Sequence, residues 1–318
     1  MKIVIPGGTG QVGGILARSL YDDRDVDVVI LTRRPRRRSD RARERRWDGK
    51  SLGAWTEEID GADVVINLAG RTVNCRYTDE NLKQMMDSRV DSARAVGEAI
   101  ARAENPPPVW LQMSTATIYA HRLDAANDEA TGIIGGREPD VPDYWEYSVR
   151  IAKNWEAELE GANTPQTRKV ALRTAMVMSP DRDSVFDVLL GLTKMGLGGP
   201  IDGGEQYISW IHERDFVTAC RLLIERSDLT GAFNLASPEP LPQRAFMEAF
   251  REVTGIALGL PATKWMVEIG AFFLQTDTEL VLKSRRVVPG RLLDEGMDFA
   301  FTDWPSAARE LMARWPRG

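Results

Sequence analysis

The stretch KIVIPGGTGQVGGILARSL, residues 2 to 20, decides the fold. Five residues of apolar, β-rich chain run straight into glycines and then into a helical pattern. Gly7, Gly10 and Gly13 follow a GxxGxxG spacing, with Thr9, Gln11 and Val12 between them. A turn of that kind lets backbone approach a pyrophosphate closely, and the N-terminus of the following helix faces the anion. A lone glycine pattern is weak evidence, but a preceding strand and a following helix give this one its structural context.

Working outward, the same alternation continues. VDVVILT (26–32), ADVVINLAG (62–70), VWLQMS (109–114) and KVALRTAMVM (169–178) read as buried parallel strands. GGILARSLYDD, SRVDSARAVGEAIARA and YSVRIAKNWEAELE read as helices between them. This predicts an α/β fold: a Rossmann-type doubly wound parallel sheet with a small C-terminal α/β subdomain. The expected division is a dinucleotide-binding domain over 1–180, to which 209–236 returns, and a smaller substrate-side subdomain over 181–318. After Pro180, SVFDVLLGLTKMGLGG, RAFMEAFREVTG and DWPSAARELMARW read as helices and GAFNLAS as a further strand.

The 318 residues carry a net charge of −6, with 43% hydrophobic and 28% charged residues, ordinary values for a globular chain. Cys75 and Cys220 do not make a disulfide framework, and two histidines, His121 and His212, do not make a metal site; no metal is expected. The start MKIVIPGG lacks a signal peptide's apolar run, and WMVEIGAFFLQ (265–275) is too short to span a bilayer. We therefore expect a cytoplasmic protein with no membrane partner. The basic run RRPRRRSDRARERR (33–46) has no interleaved aromatics in an otherwise acidic chain, so nucleic acid is not the expected partner.

The cofactor choice turns on the end of the second strand. NAD sites usually place an acid there for the ribose hydroxyls. This chain has Thr32, Arg33 and Arg34 instead. Guanidiniums suit a 2′-phosphate, so NADP(H) is favoured over NAD(H), with Arg33 the main contact.

GGTGQVG, DVVINLAG (63–70) and MSTATIY (113–119) together resemble the extended short-chain dehydrogenase/reductases. GLGGPIDGGEQYISWIHERD (196–215), GAFNLASPEPLP (231–242) and LVLKSRRVVPGRLLDEGMDFAF (280–301) narrow the resemblance to the YfcH-like proteins. This is an atypical subgroup labelled as nucleoside-diphosphate-sugar epimerases. The resemblance spans essentially the whole chain. It implies that Leu68, Ala69 and Gly70 line the adenine and ribose side of the cofactor. It puts Met113 and Ser114 near the nicotinamide and Thr115 at the position of the catalytic Ser or Thr. Arg89 takes a helix position that is often Asn, from which it reaches a cofactor phosphate or ribose. By position alone, Trp47 and Asp48, which end a short third strand, are expected to border the adenine.

The chain departs from the family where proton transfer is expected. Typical members carry a Tyr-x-x-x-Lys pair; anchoring on WEAELE puts Ser148 and Ala152 at those places. Tyr147 and Lys153 lie six residues apart, roughly 120° around a helix, and act as candidate catalytic residues only separately. Met176 and Ile208 take places where sugar epimerases keep an Asn and an Arg, and an apolar residue does not neutralise a diphosphate. His212 is expected at a structural turn with Asp215 capping the next helix, Asp128 and Glu129 in a solvated loop, and Trp145, Trp155 and Trp210 packing the interdomain cleft. The expected function is an NADP(H)-dependent oxidoreductase or epimerase-like enzyme on an unidentified small molecule, acting as monomer or homodimer. The alternative is a non-catalytic NADP(H)-binding sensor or interaction protein.

Overall fold

The computed structural model describes residues 1–21, 24–38, 40–139, 141–142, 144–263 and 277–316. The apolar stretch 265–275 singled out above lies outside them. Among the described residues, no helix is long and apolar enough to cross a membrane.

Seven parallel strands form one sheet: β1 (Lys2–Pro6), β2 (Asp27–Thr32), β3 (Arg43–Arg46), β4 (Val64–Asn67), β5 (Val109–Thr115), β6 (Arg168–Thr174) and β10 (Gly231–Leu235). Their spatial order is β3-β2-β1-β4-β5-β6-β10. Side chains alternate faces along each strand. Ile3, Ile5, Val28 and Ile30 pack on one face, with α1 (Gln11–Leu20) and α5 (Glu213–Glu225). Val4, Val29 and Leu31 pack on the other, with α2 (Asp79–Arg102) and α3 (Trp145–Gly161). Both faces are covered, which is why these strands read as continuous apolar runs and not as alternating ones. The exception is β3, RERR, an edge strand paired only with β2 and without an apolar residue.

The order reverses between β1 and β4, so the carboxyl ends of those strands open a crevice where such sheets bind ligands. Gly7 makes the turn there with φ +77°, and its amide donates to the Leu31 carbonyl. Gly13 lets α1 sit on the turn: a Cβ on it would lie 2.4 Å from the Cα of Gly8.

KVALRTAMVM is not one strand, contrary to the sequence reading. It breaks at Ala175, whose amide bonds Leu235 while that of Met176 turns to Ser209. β6 stays in the sheet, and β7 (Met176–Met178) pairs outside it with β9 (Trp210–His212), while the short β8 (Tyr207–Ile208) pairs antiparallel with Leu241–Pro242. Beyond this pair a separate core gathers Phe186 and Leu190 of α4 (Val185–Lys194), Phe246 and Phe250 of α6 (Gln243–Thr254), and Trp304 and Leu311 of α7 (Trp304–Arg314). Phe246 stacks on Trp304 with ring centroids 4.4 Å apart.

Candidate active site

One cleft runs over the carboxyl ends of the strands. At its outer end, Thr9, Thr32, Arg33 and Arg34 share a basin with Arg36, Arg37 and Arg38. The guanidiniums of Arg33 and Arg34 make no hydrogen bond or ion pair among the described residues, whereas Arg38 is held by Asp40 and Glu44. The middle is lined by Gly7, Gly10, Trp47, Asp48, Leu68, Ala69 and Gly70. The inner chamber, about 390 Å³, is walled by Gln11, Val12, Met113, Ser114, Thr115, Arg89, Trp155 and residues of the 280s.

The first turn of α1 carries no side-chain cap and no acid. Its leading N–H groups are therefore free to meet an anion, reinforced by the helix dipole. Gln11 ties this end to the residue that follows β7, donating its side-chain amide to the Ser179 hydroxyl at 3.2 Å. A Cβ on Gly10 would find its nearest neighbour, the Gly7 carbonyl, at a relaxed 3.7 Å. The protein's own packing thus leaves room for a side chain at Gly10, and the open space beside it belongs to the cleft.

Arg89 reaches in from α2 and lies 5.2 Å over the ring of Trp155, with Gly70 against it. It donates to the carbonyls of Met85 and Arg71, each at 3.0 Å. Burial lowers its pKa to about 10, so it keeps its charge at neutral pH.

At the inner end, Thr115 accepts from the Thr117 amide at 3.2 Å, which leaves its own proton to offer to the cleft. Ser114 lines the same wall, but its hydroxyl donates to Glu156. Glu156 in turn holds Arg173 through two bonds of 2.9 and 2.8 Å, and Arg173 holds Tyr119. This buried network locks the carboxyl ends of β5 and β6 to α3, so the position of Thr115 is set from beneath.

The structure does not bring Tyr147 and Lys153 into this chamber. Tyr147 packs toward Leu82, Met85 and Ile151 and stacks under Arg150. Lys153 is exposed and donates to the Gly135 carbonyl at 3.3 Å. The cause is helical phase: the face of α3 that meets the chamber carries Ser148, Ile151 and Trp155. Ala152 is fully buried against Ala116, Ile118 and Tyr119. At the place of the usual tyrosine, Ser148 donates to Glu279, a buried carboxylate from a segment over a hundred residues away. Burial raises the Glu279 pKa against the opposing pull of Lys283 and Arg285. The Lys283 ammonium is 3.4 Å from Glu279, within ion-pair distance though not aligned as a hydrogen bond. Tyr77 also lines the chamber, its pKa raised chiefly by burial.

Tyr77, Glu279, Lys283 and Arg285 escaped the sequence reading. Nothing in their spacing ties them to the glycine turn; only the KSRR run, four polar residues between apolar ones, was a signal.

The remaining candidates are structural. His212 is completely buried; its Nδ1 accepts from the Arg214 amide and its Nε2 lies 3.0 Å from Glu310. The helix cap of α5 is therefore His212 and not Asp215, whose carboxylate instead accepts from the amides of Ala300 and Phe301. Glu129 is not solvated either: it accepts from the amides of Asn234 and Arg291, bracing β10. Trp155 lines the cleft, but Trp210 is core, 5.0 Å from Trp304, and Trp145 packs on His121. Met176 and Ile208 both pack with that third core.

A model of the NAD dependent epimerase/dehydratase family matches residues 3–236. The chain belongs to that family. Residues 262–311 match a further model, a domain of unknown function numbered 1731. The chain is 29% identical to the Bos taurus epimerase family protein SDR39U1 over 98% of this chain and 100% of the relative. The fold is that of the human epimerase family protein SDR39U1 (isoform 2) with NADPH, at TM-score 0.84 and 24% identity over 99% of this chain and 100% of that one. MoeE5 in complex with UDP-glucuronic acid and NAD shares the fold at TM-score 0.73 and 17% identity, over 99% of both chains. This family member thus presents an atypical short-chain scaffold with a nucleotide-cofactor crevice.

Proposed function

We propose that this family member binds NADP(H) in preference to NAD(H) and catalyses oxidation or reduction of a small molecule, with no nucleic acid or membrane partner, in the cytoplasm. The observation that carries the cofactor choice is the basin at the end of β2. Two uncommitted guanidiniums, Arg33 and Arg34, stand beside Thr32 where NAD sites keep an acid. The human relative's NADPH supports the same reading.

The residues fit such a cofactor along its length. Arg33 and Arg34 receive the 2′-phosphate, and Thr9 borders it. Trp47, Asp48, Leu68, Ala69 and Gly70 flank the adenosine. The N-terminus of α1 at Gly10, Gln11 and Val12 meets the pyrophosphate, and Arg89 adds charge beside the ribose. The cofactor supplies hydride exchange at the nicotinamide. Met113 and Ser114, which line the chamber, would border the nicotinamide, and Thr115 would donate a hydrogen bond to the substrate oxygen. No Tyr-x-x-x-Lys pair supplies the proton. The Ser148 hydroxyl is committed to Glu279, so water is left to do so.

The test is a fluorescence titration with NADPH and NADH, on the wild type and on Arg33→Ala. It is followed by offering aldehydes, ketones and quinones to the NADPH complex. Tight NADPH binding lost in the variant, with NADPH consumed, supports the enzyme. NADPH bound but never consumed favours the sensor reading, which the absence of Tyr147 and Lys153 from the chamber makes worth separating. Failure of both nucleotides to bind sinks the cofactor site.

A further inference from the structure

The inner chamber has a charge imbalance. Among the described residues its wall holds two guanidiniums, Arg89 and Arg285, and no carboxylate. Arg89 faces the cofactor side, next to Gly70. Arg285 faces the other end, and every oxygen it touches is neutral. Its Nε donates to Thr117 Oγ1 at 3.1 Å. Its Nη1 shares its two hydrogens among the carbonyls of Glu279, Leu280 and Lys283, all at a long 3.3 Å. Its Nη2 reaches only the Glu279 carbonyl, also at 3.3 Å. A guanidinium has five N–H donors, so one on Nη2 is left without an acceptor among the described residues. The nearby Glu279 carboxylate is engaged by Ser148 and faces Lys283. Glu279 is thus the shared counter-charge of two buried cations, Lys283 and Arg285, which outnumber it, and an arriving anion relieves the cost of that excess.

Resting on the oxidoreductase reading above, we propose that the substrate bears a carboxylate, received by Arg285 while Thr115 holds the reacting carbonyl or alcohol oxygen. The two groups are linked through one residue. The Thr117 amide bonds Thr115, and the Thr117 hydroxyl bonds Arg285. With both receptors joined through Thr117, the class assigned is one whose carboxylate and reacting oxygen sit on neighbouring carbons, a 2-oxo or 2-hydroxy acid. Met85, Ile151, Val177 and Leu280 make much of the remaining wall apolar, which suits an aliphatic tail. In the reducing direction, hydride adds to the carbonyl carbon and a proton to its oxygen, giving NADP⁺ and the hydroxy acid.

The test titrates the full chain with 4-methyl-2-oxopentanoate and with its uncharged amide, each with and without saturating NADPH, reading thermal shift and nicotinamide fluorescence. The wild type is expected to bind the carboxylate about tenfold or more tighter than the amide. Arg285→Gln is expected to abolish that preference while leaving the NADPH Kd within about twofold, which also shows that the variant is folded. Arg285→Lys is expected to keep part of it, since the charge remains but the fork does not. Equal responses to the two compounds in the wild type, absence of both included, overturn the proposal. So does a preference that survives in Arg285→Gln. A wild type that ignores NADPH but shows the Arg285-dependent preference upholds the anion site and overturns the cofactor reading instead.

Discussion

Ser148 hands its hydroxyl hydrogen to the buried carboxylate of Glu279, joining the middle of α3 to a segment 131 residues further along the chain. The family's tyrosine position is thereby spent on a tertiary tie. We expect Ser148→Ala to lower stability by about 1.5–3 kcal/mol, the range for a hydrogen bond to a charged group. NADPH affinity should be unchanged. Denaturant unfolding together with a fluorescence titration checks both halves, and a large loss of NADPH binding would argue against this assignment.

The two glycines of the phosphate turn should separate folding from binding. Gly13→Ala forces a Cβ within 2.4–2.6 Å of the Gly8 backbone, so the turn must shift and both stability and NADPH binding should fall. Gly10→Ala meets nothing closer than 3.7 Å in the protein. Its melting temperature should match the wild type while NADPH affinity drops by about tenfold or more, since its methyl enters the space proposed for the pyrophosphate.

Arg33→Ala should weaken NADPH binding by roughly 10- to 100-fold, as expected for one charge-assisted contact of about 1.5–3 kcal/mol, and leave NADH binding nearly unchanged. Equal losses for both nucleotides would mean that Arg33 does not touch a 2′-phosphate.

Glu156 is the pin under Thr115, with its side chain 8% exposed and that of Arg173 14%. Glu156→Ala leaves a buried guanidinium without its carboxylate. The expected cost is about 3–5 kcal/mol, most of it recovered when Arg173 is also replaced by Met. Chemical denaturation of the single and double variants measures this, and strict additivity would rule out the coupling.

His212 gives a pH signature. Burial, opposed by the bond to Glu310, lowers its pKa from 6.5 to about 4. The unfolded chain therefore takes up a proton near pH 6.5 that the folded chain refuses until about pH 4. The stabilising contribution is complete above pH 6.5 and is lost as pH falls through that window, by at most roughly 3 kcal/mol. Calorimetry from pH 7 to 4.5 should show the wild type losing stability faster than His212→Asn; parallel curves would contradict it.

What the sequence determined by itself was local. The strand–glycine–helix opening, the apolar strand runs and the arginines after Leu31 each depend on neighbours a few residues away, and the sheet and its crevice follow from them. The late motifs identified the subgroup in the same way, as contiguous words. The contents of the inner chamber depended on tertiary structure. Helical phase carried Tyr147 and Lys153 off the face that Ser148 and Trp155 present. Glu279, Lys283 and Arg285 arrived from a segment whose distance from Ser148 and Thr117 no spacing encodes. The bend at Ala175 was likewise invisible, because an unbroken apolar run reads the same whether its carbonyls and amides pair with one sheet or two. Contacts closed by chain folding are set by which surfaces bury together, and a linear pattern records only each surface's own half.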